Sequence, residues 1–167
     1  MKNKMITDKI KQEAKAGSKT LVLFDMDGLM TEFDSELKER IVSNEPGFYL
    51  TRRPLKTMLK TIKGLSKVKN ITVGILSNCH YNEQKQDKIT WLNKYAPFFA
   101  PENIHIVVLS EEKFEDSEKY YVKARYAKKY MQGYDKVYFF DDDPRILKAM
   151  RKALPEIVSK HISLMIK

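Results

Sequence analysis

Two carboxylates stand two positions apart at the end of an apolar run, in Leu21-Val-Leu-Phe-Asp25-Met-Asp27-Gly28. The run from Leu21 to Phe24 reads as a strand buried on both faces. On an extended backbone, positions i and i+2 point the same way, so Asp25 and Asp27 project together from the strand's carboxyl end. Carboxylates there are costly unless they bind a metal or divide acid and base work. The plain alternative is a polar Asp-Gly turn. Two further apolar runs end in comparable chemistry. Ile71-Thr-Val-Gly-Ile-Leu76 leads into Ser77, Asn78, Cys79 and His80, and Val137-Tyr-Phe-Phe140 leads into Asp141, Asp142 and Asp143. In a parallel sheet these three ends share one edge, where open α/β sheets bind ligands.

The elements between them must supply that sheet. Residues 3 to about 16 read as a charged surface helix or a frayed arm, closed by Gly17-Ser18. A short helical pattern from Asp34 to Arg40 is stopped by Asn44-Glu-Pro-Gly47. Pro54 opens a helix with Leu55, Met58, Leu59, Ile62 and Leu65 on one face. Asn82 is placed to cap a helix whose apolar face includes Ile89, Leu92 and Tyr95. Ile104 to Leu109 is a third strand. An acidic loop, Glu111 to Glu118, precedes a helix carrying Ala124, Tyr126, Ala127, Tyr130 and Met131. Pro144 starts another helix behind an Asp143 cap, and Ile162 to Ile166 reads as a fifth strand. Strands alternating with amphipathic helices give a three-layer, Rossmann-like α/β fold around a mostly parallel five-stranded sheet. The 167 residues suit a single domain, 1–167.

Composition bounds the partners. No apolar run approaches the roughly 20 residues of a membrane span. The N-terminal segment lacks a signal peptide's apolar core. The single cysteine, Cys79, allows no internal disulfide, and a reducing cytoplasm is the expected address. His80, His105 and His161 show no metal-ligand spacing. A formal charge of +9 suits phosphorylated ligands or nucleic acid, although scattered lysines also make an ordinary solvated surface.

From Leu21 onward the pattern resembles the haloacid dehalogenase (HAD) superfamily, whose four motifs lie in this order at strand ends. Within it, Phe24-Asp-Met-Asp-Gly-Leu-Met-Thr-Glu-Phe33, Glu45-Pro-Gly-Phe-Tyr49 and Lys88-Ile-Thr-Trp91-Leu are similar to the 5'(3')-deoxyribonucleotidase-like group. The resemblance implies a phosphatase in which Asp25 attacks phosphorus and Asp27 serves as general acid and then base. It implies Mg²⁺ held by Asp25, the Asp27 carbonyl and Asp142, with Asp141 reaching the ion through water. Ser77 would hydrogen-bond the phosphoryl group, with Asn78 and Lys88 as candidate substrate contacts. The lysine motif falls on Lys123 or Lys119. Apolar residues follow it at +3, +4, +7 and +8 in related sequences, which fits Lys123 better.

The nucleotidase-like group carries a helical cap between its first two motifs. Here residues of about 31–52 leave room only for a flap and a minimal cap, and hence an open site. The expected substrate is a phosphorylated small molecule such as a nucleotide. A phosphorylated nucleic-acid end is the alternative, as is a catalytically silent phosphate-binding protein.

Overall fold

The computed structural model describes residues 5–32 and 44–166. The helix expected from Asp34 to Arg40, with much of the expected flap and cap, lies outside them. The elements run α1 (Ile6–Lys15), β1 (Thr20–Phe24), a 3-10 turn (Phe48–Thr51), α2 (Lys56–Ser66), β2 (Ile71–Cys79), α3 (Asn82–Tyr95), β3 (Ile104–Val108), a 3-10 segment (Asp116–Tyr121), α4 (Val122–Tyr130), β4 (Lys136–Asp141), α5 (Pro144–Ala153) and β5 (Val158–His161). The strands form one all-parallel sheet in the order β3-β2-β1-β4-β5. This is a Rossmann-like three-layer arrangement. Among the described residues, no helix is long and apolar enough to cross a membrane.

Strand periodicity builds the core. Every residue of β1 is buried, but alternate side chains enter opposite layers. Val22 and Phe24 pack with Ile62, Trp91 and Leu92 of α2 and α3. Leu21 and Leu23 pack with Val122, Ala127, Leu147 and Met150 of α4 and α5. The central strand therefore reads as a continuous apolar run and pins the Asp25–Gly28 turn to a rigid base.

Several details differ from the sequence reading. The last strand is Val158–His161, and Ile162–Met165 form a 3-10 turn. Ile162 and Met165, three apart, fall on one side of such a turn and bury there, an apolar spacing that mimics a short strand. Pro54 stands ahead of α2, bridging to Thr31, and the helix starts at Lys56. Tyr81 occupies the N-cap of α3, where the Gln84 side chain accepts hydrogen bonds from the His80 and Tyr81 N–H groups. Asn82 is the first helical residue and its amide donates to Glu111. The buried face of α3 is Gln84, Lys88, Trp91 and Leu92, rotated from the expected Ile89 stripe. Asp143 caps α5 as expected, accepting from the Arg145 N–H at 2.8 Å.

Candidate active site

The strand order reverses beside β1: β2 and β3 lie to one side, β4 and β5 to the other. A crevice opens at such a reversal, beyond the strands' carboxyl ends. Asp25 sits there, its N–H donating to the Phe140 carbonyl at 2.9 Å. Its neighbour β4 ends in Asp141, and β2, on the other flank, carries Ser77 and Asn78. Three adjacent strands thus bring the sequence-identified carboxylates and hydroxyl to one edge.

Two buried lysines organise this edge. Lys123, at the start of α4, lies 2.8 Å from Asp25 Oδ1 and 2.7 Å from Asp141 Oδ2. Lys119 lies one helical turn earlier, against the Tyr120 ring, and is exposed. Lys88 reaches in from α3. Its Nζ lies 2.6 Å from Asp27 Oδ2, 3.0 Å from Ser77 Oγ and 2.6 Å from the Asn78 carbonyl. The Tyr49 ring faces the same ammonium at 4.6 Å. Asp27 Oδ1 and Asn78 Oδ1 are buried without a hydrogen-bond partner among the described residues.

The lysines set the charge of the nucleophile candidate. Burial pushes the Asp25 carboxyl up, but the Lys123 and Lys88 ammoniums outweigh it and hold its pKa below the ordinary value. Asp25 is therefore ionised at neutral pH. Burial pulls Lys123 down, and the two carboxylates it touches more than reverse this, so it stays protonated.

Asp25, Asp141 and Asp142 bring one carboxylate oxygen each within 4.8 Å of one another. Burial, reinforced by the Asp25 charge, raises Asp141 and brings Asp142 to about 6. Three crowded carboxylates are a fitting donor set for a hard dication, which would relieve that repulsion. Their roles differ. Asp141 has both oxygens engaged, Oδ2 by Lys123 and Oδ1 by the Asp143 N–H at 2.8 Å. The Asp142 carboxylate lies over Gly28, whose φ of 70° is in the left-handed region. A Cβ on Gly28 would overlap that carboxylate, with Asp142 Cγ at 2.8 Å.

The structure brings together Asp25, Asp27, Ser77, Asn78, Lys88, Lys123, Asp141 and Asp142. It adds Tyr49, which sequence reasoning placed only within a family-like stretch. The signal that could have found it is Lys88, four residues before Leu92 on the apolar helix face, because an ammonium among apolar side chains needs partners.

Sequence comparison matches no family model and no curated protein. Structural comparison finds clear neighbours. A chain of the Pnkp1/Rnl/Hen1 complex superposes with a TM-score of 0.63 at 15% identity, over 87% of this chain. This chain spans 46% of that one, about half its length. A haloacid dehalogenase-like hydrolase of Burkholderia xenovorans superposes at 0.54 with 14% identity, covering 85% of this chain and 83% of its own. The HAD domain of the Legionella pneumophila effector Lem4 gives 0.50 at 16% identity, with 85% and 84% covered. These neighbours superpose along most of this chain, which has the fold of the haloacid dehalogenase superfamily.

Proposed function

We propose that this chain is a Mg²⁺-dependent phosphatase that hydrolyses a phosphate monoester through an aspartyl-phosphate. The observation that carries this reading is the pairing of an ionised, lysine-held Asp25 with Asp27 two positions on, at the strand-order reversal. Asp25 attacks phosphorus and the ester P–O bond breaks. Asp27 gives its proton to the departing oxygen, then takes one from the water that attacks the aspartyl-phosphate. Ser77 donates its hydroxyl to a phosphoryl oxygen. Lys123 holds Asp25 in its attacking position. Asp25, Asp142 and the Asp27 carbonyl would hold the ion, with Asp141 fixing Lys123 and reaching the ion only through water. Bound there, Mg²⁺ supplies positive charge to offset the phosphoryl oxygens.

A small monoester, such as a mononucleotide, is the preferred substrate class. The loop after β3 places exposed Glu111, Glu115, Asp116 and Glu118 beyond the same sheet edge as the site. An acidic rim disfavours a polyanion. The chain's overall charge of +9 favours the second reading, a phosphorylated nucleic-acid end. The test is kcat/KM for a mononucleotide against the matching 5'- or 3'-phosphorylated oligonucleotide, with Mg²⁺, at low and moderate salt. The proposal expects the mononucleotide to be preferred, with a shallow salt dependence. An oligonucleotide preference that collapses with salt would replace it, because each contacted backbone phosphate releases counterions.

A further inference from the structure

Lys88 is fully buried, and its ammonium has three hydrogens to give. All three have acceptors inside the protein: Asp27 Oδ2 at 2.6 Å, Ser77 Oγ at 3.0 Å and the Asn78 carbonyl at 2.6 Å. A buried ammonium is kept only where such partners offset its lost hydration. The Tyr49 ring, itself 1% exposed, also faces the ammonium. The helix carrying Lys88 is tied to the same stretch, since Trp91 Nε1 donates to the Arg52 carbonyl at 2.8 Å. Lys88 thus has no hydrogen left for a substrate phosphoryl group, the contact expected of it from the sequence.

We infer that Lys88 is a positioning residue that orients both Asp27 and Ser77 for phosphoryl transfer. The inference rests on the phosphatase reading above. With Oδ2 held by Lys88, Asp27 is left one usable oxygen, the buried Oδ1 that has no partner among the described residues. In the phosphatase reading, Asp27 passes its proton from that oxygen to the ester oxygen as the P–O bond breaks and the Asp25–phosphorus bond forms. The carboxylate left behind is matched by the Lys88 ammonium until water returns a proton. Ser77 accepts from Lys88, so its own hydrogen turns outward as a donor to the phosphoryl group. One ammonium fixes the direction of both hydrogen bonds.

Leaving groups separate this role from a phosphate contact. A p-nitrophenolate departs with little help from an acid. Phenol resembles tyrosine, with a pKa of about 10, and departs best when protonated. The experiment compares wild type, Lys88→Met and Lys88→Arg on p-nitrophenyl phosphate and phenyl phosphate with Mg²⁺. Lys88→Met is expected to lower kcat/KM, which reads the steps up to departure of the ester oxygen, by about 10²–10³-fold on phenyl phosphate, in the range of lost acid catalysis. On p-nitrophenyl phosphate the loss in kcat/KM stays under about tenfold, and KM for neither ester rises by more than about threefold. In an Asp27→Asn background, Lys88→Met changes the phenyl phosphate rate by no more than about twofold, because the two residues act as one unit. Equal losses on both esters with a KM rise above about tenfold would overturn the inference and make Lys88 a phosphate contact. If circular dichroism shows Lys88→Met unfolded, Lys88→Arg decides: a loss at least about tenfold larger on phenyl phosphate supports the role, and equal losses overturn it. Wild type that turns over neither ester would instead refute the phosphatase reading beneath it.

Discussion

Gly28→Ala tests the packing that joins the first carboxylate turn to the candidate metal ligand. Gly28 has φ of 70°, where an L-residue costs about 1–2 kcal/mol. The added methyl also overlaps the Asp142 carboxylate. That carboxylate is the mobile end of a short side chain, so it swings aside and little further stability is lost. The expected stability loss is therefore the backbone strain, about 1–2 kcal/mol, or roughly 2–8 °C in Tm at this size. The functional loss is larger, because Asp142 leaves the cluster. Mg²⁺ affinity by calorimetry should fall by about tenfold or more, the cost of misplacing a ligand. Asp142→Ala should weaken Mg²⁺ as much, and the double variant no further, since both changes remove one ligand. Unchanged Mg²⁺ affinity in Gly28→Ala, or additive losses in the double variant, would refute this account of the Gly28–Asp142 contact.

Lys123→Met should cost about 3–5 kcal/mol in urea unfolding, because Asp25 and Asp141 lose their shared ammonium in the interior. Lys119→Met, on an exposed side chain, should stay within about 0.5 kcal/mol. Asp141→Ala should reduce stability more than Asp142→Ala, whereas Asp142→Ala should weaken Mg²⁺ binding more; titration calorimetry and urea melts on both variants check the ordering. His105, stacked on Tyr130, has its pKa lowered to about 4 by burial. The unfolded chain binds that proton at higher pH, so this group's contribution to stability is full above about 6.5 and fades as pH falls toward 4. His105→Phe should flatten that part of the Tm-against-pH curve.

The sheet and its candidate site edge were legible because each rests on local pattern. β1 and β4 carry unbroken apolar runs, Leu21–Phe24 and Val137–Phe140, and β2 a mostly apolar one, Ile71–Leu76; each ends abruptly in Asp or Ser, and the end of a buried strand fixes where those side chains emerge. The Asp143 cap followed from Pro144. The partners of the two lysines were harder to read, because a helix periodicity places a residue on a face but says nothing of what stands opposite. Lys88 shares its face with Gln84, Trp91 and Leu92, yet its contacts with Asp27 and Tyr49 join segments distant in the chain. The last strand failed for a related reason. Ile162 and Met165 bury by 3-10 spacing, and four apolar residues in a stretch of five carry too few periods to separate a turn from a strand.

The central claim is a covalent phosphate on Asp25. The direct measurement mixes enzyme, Mg²⁺ and p-nitrophenyl phosphate, quenches in acid within one turnover, and reads the peptides by mass spectrometry. The account predicts phosphate on the Asp25 peptide in wild type, more of it in Asp27→Asn, where water attack is slowed, and none in Asp25→Asn. Turnover with no phosphorylated peptide, or with the phosphate on another residue such as Ser77, would contradict it.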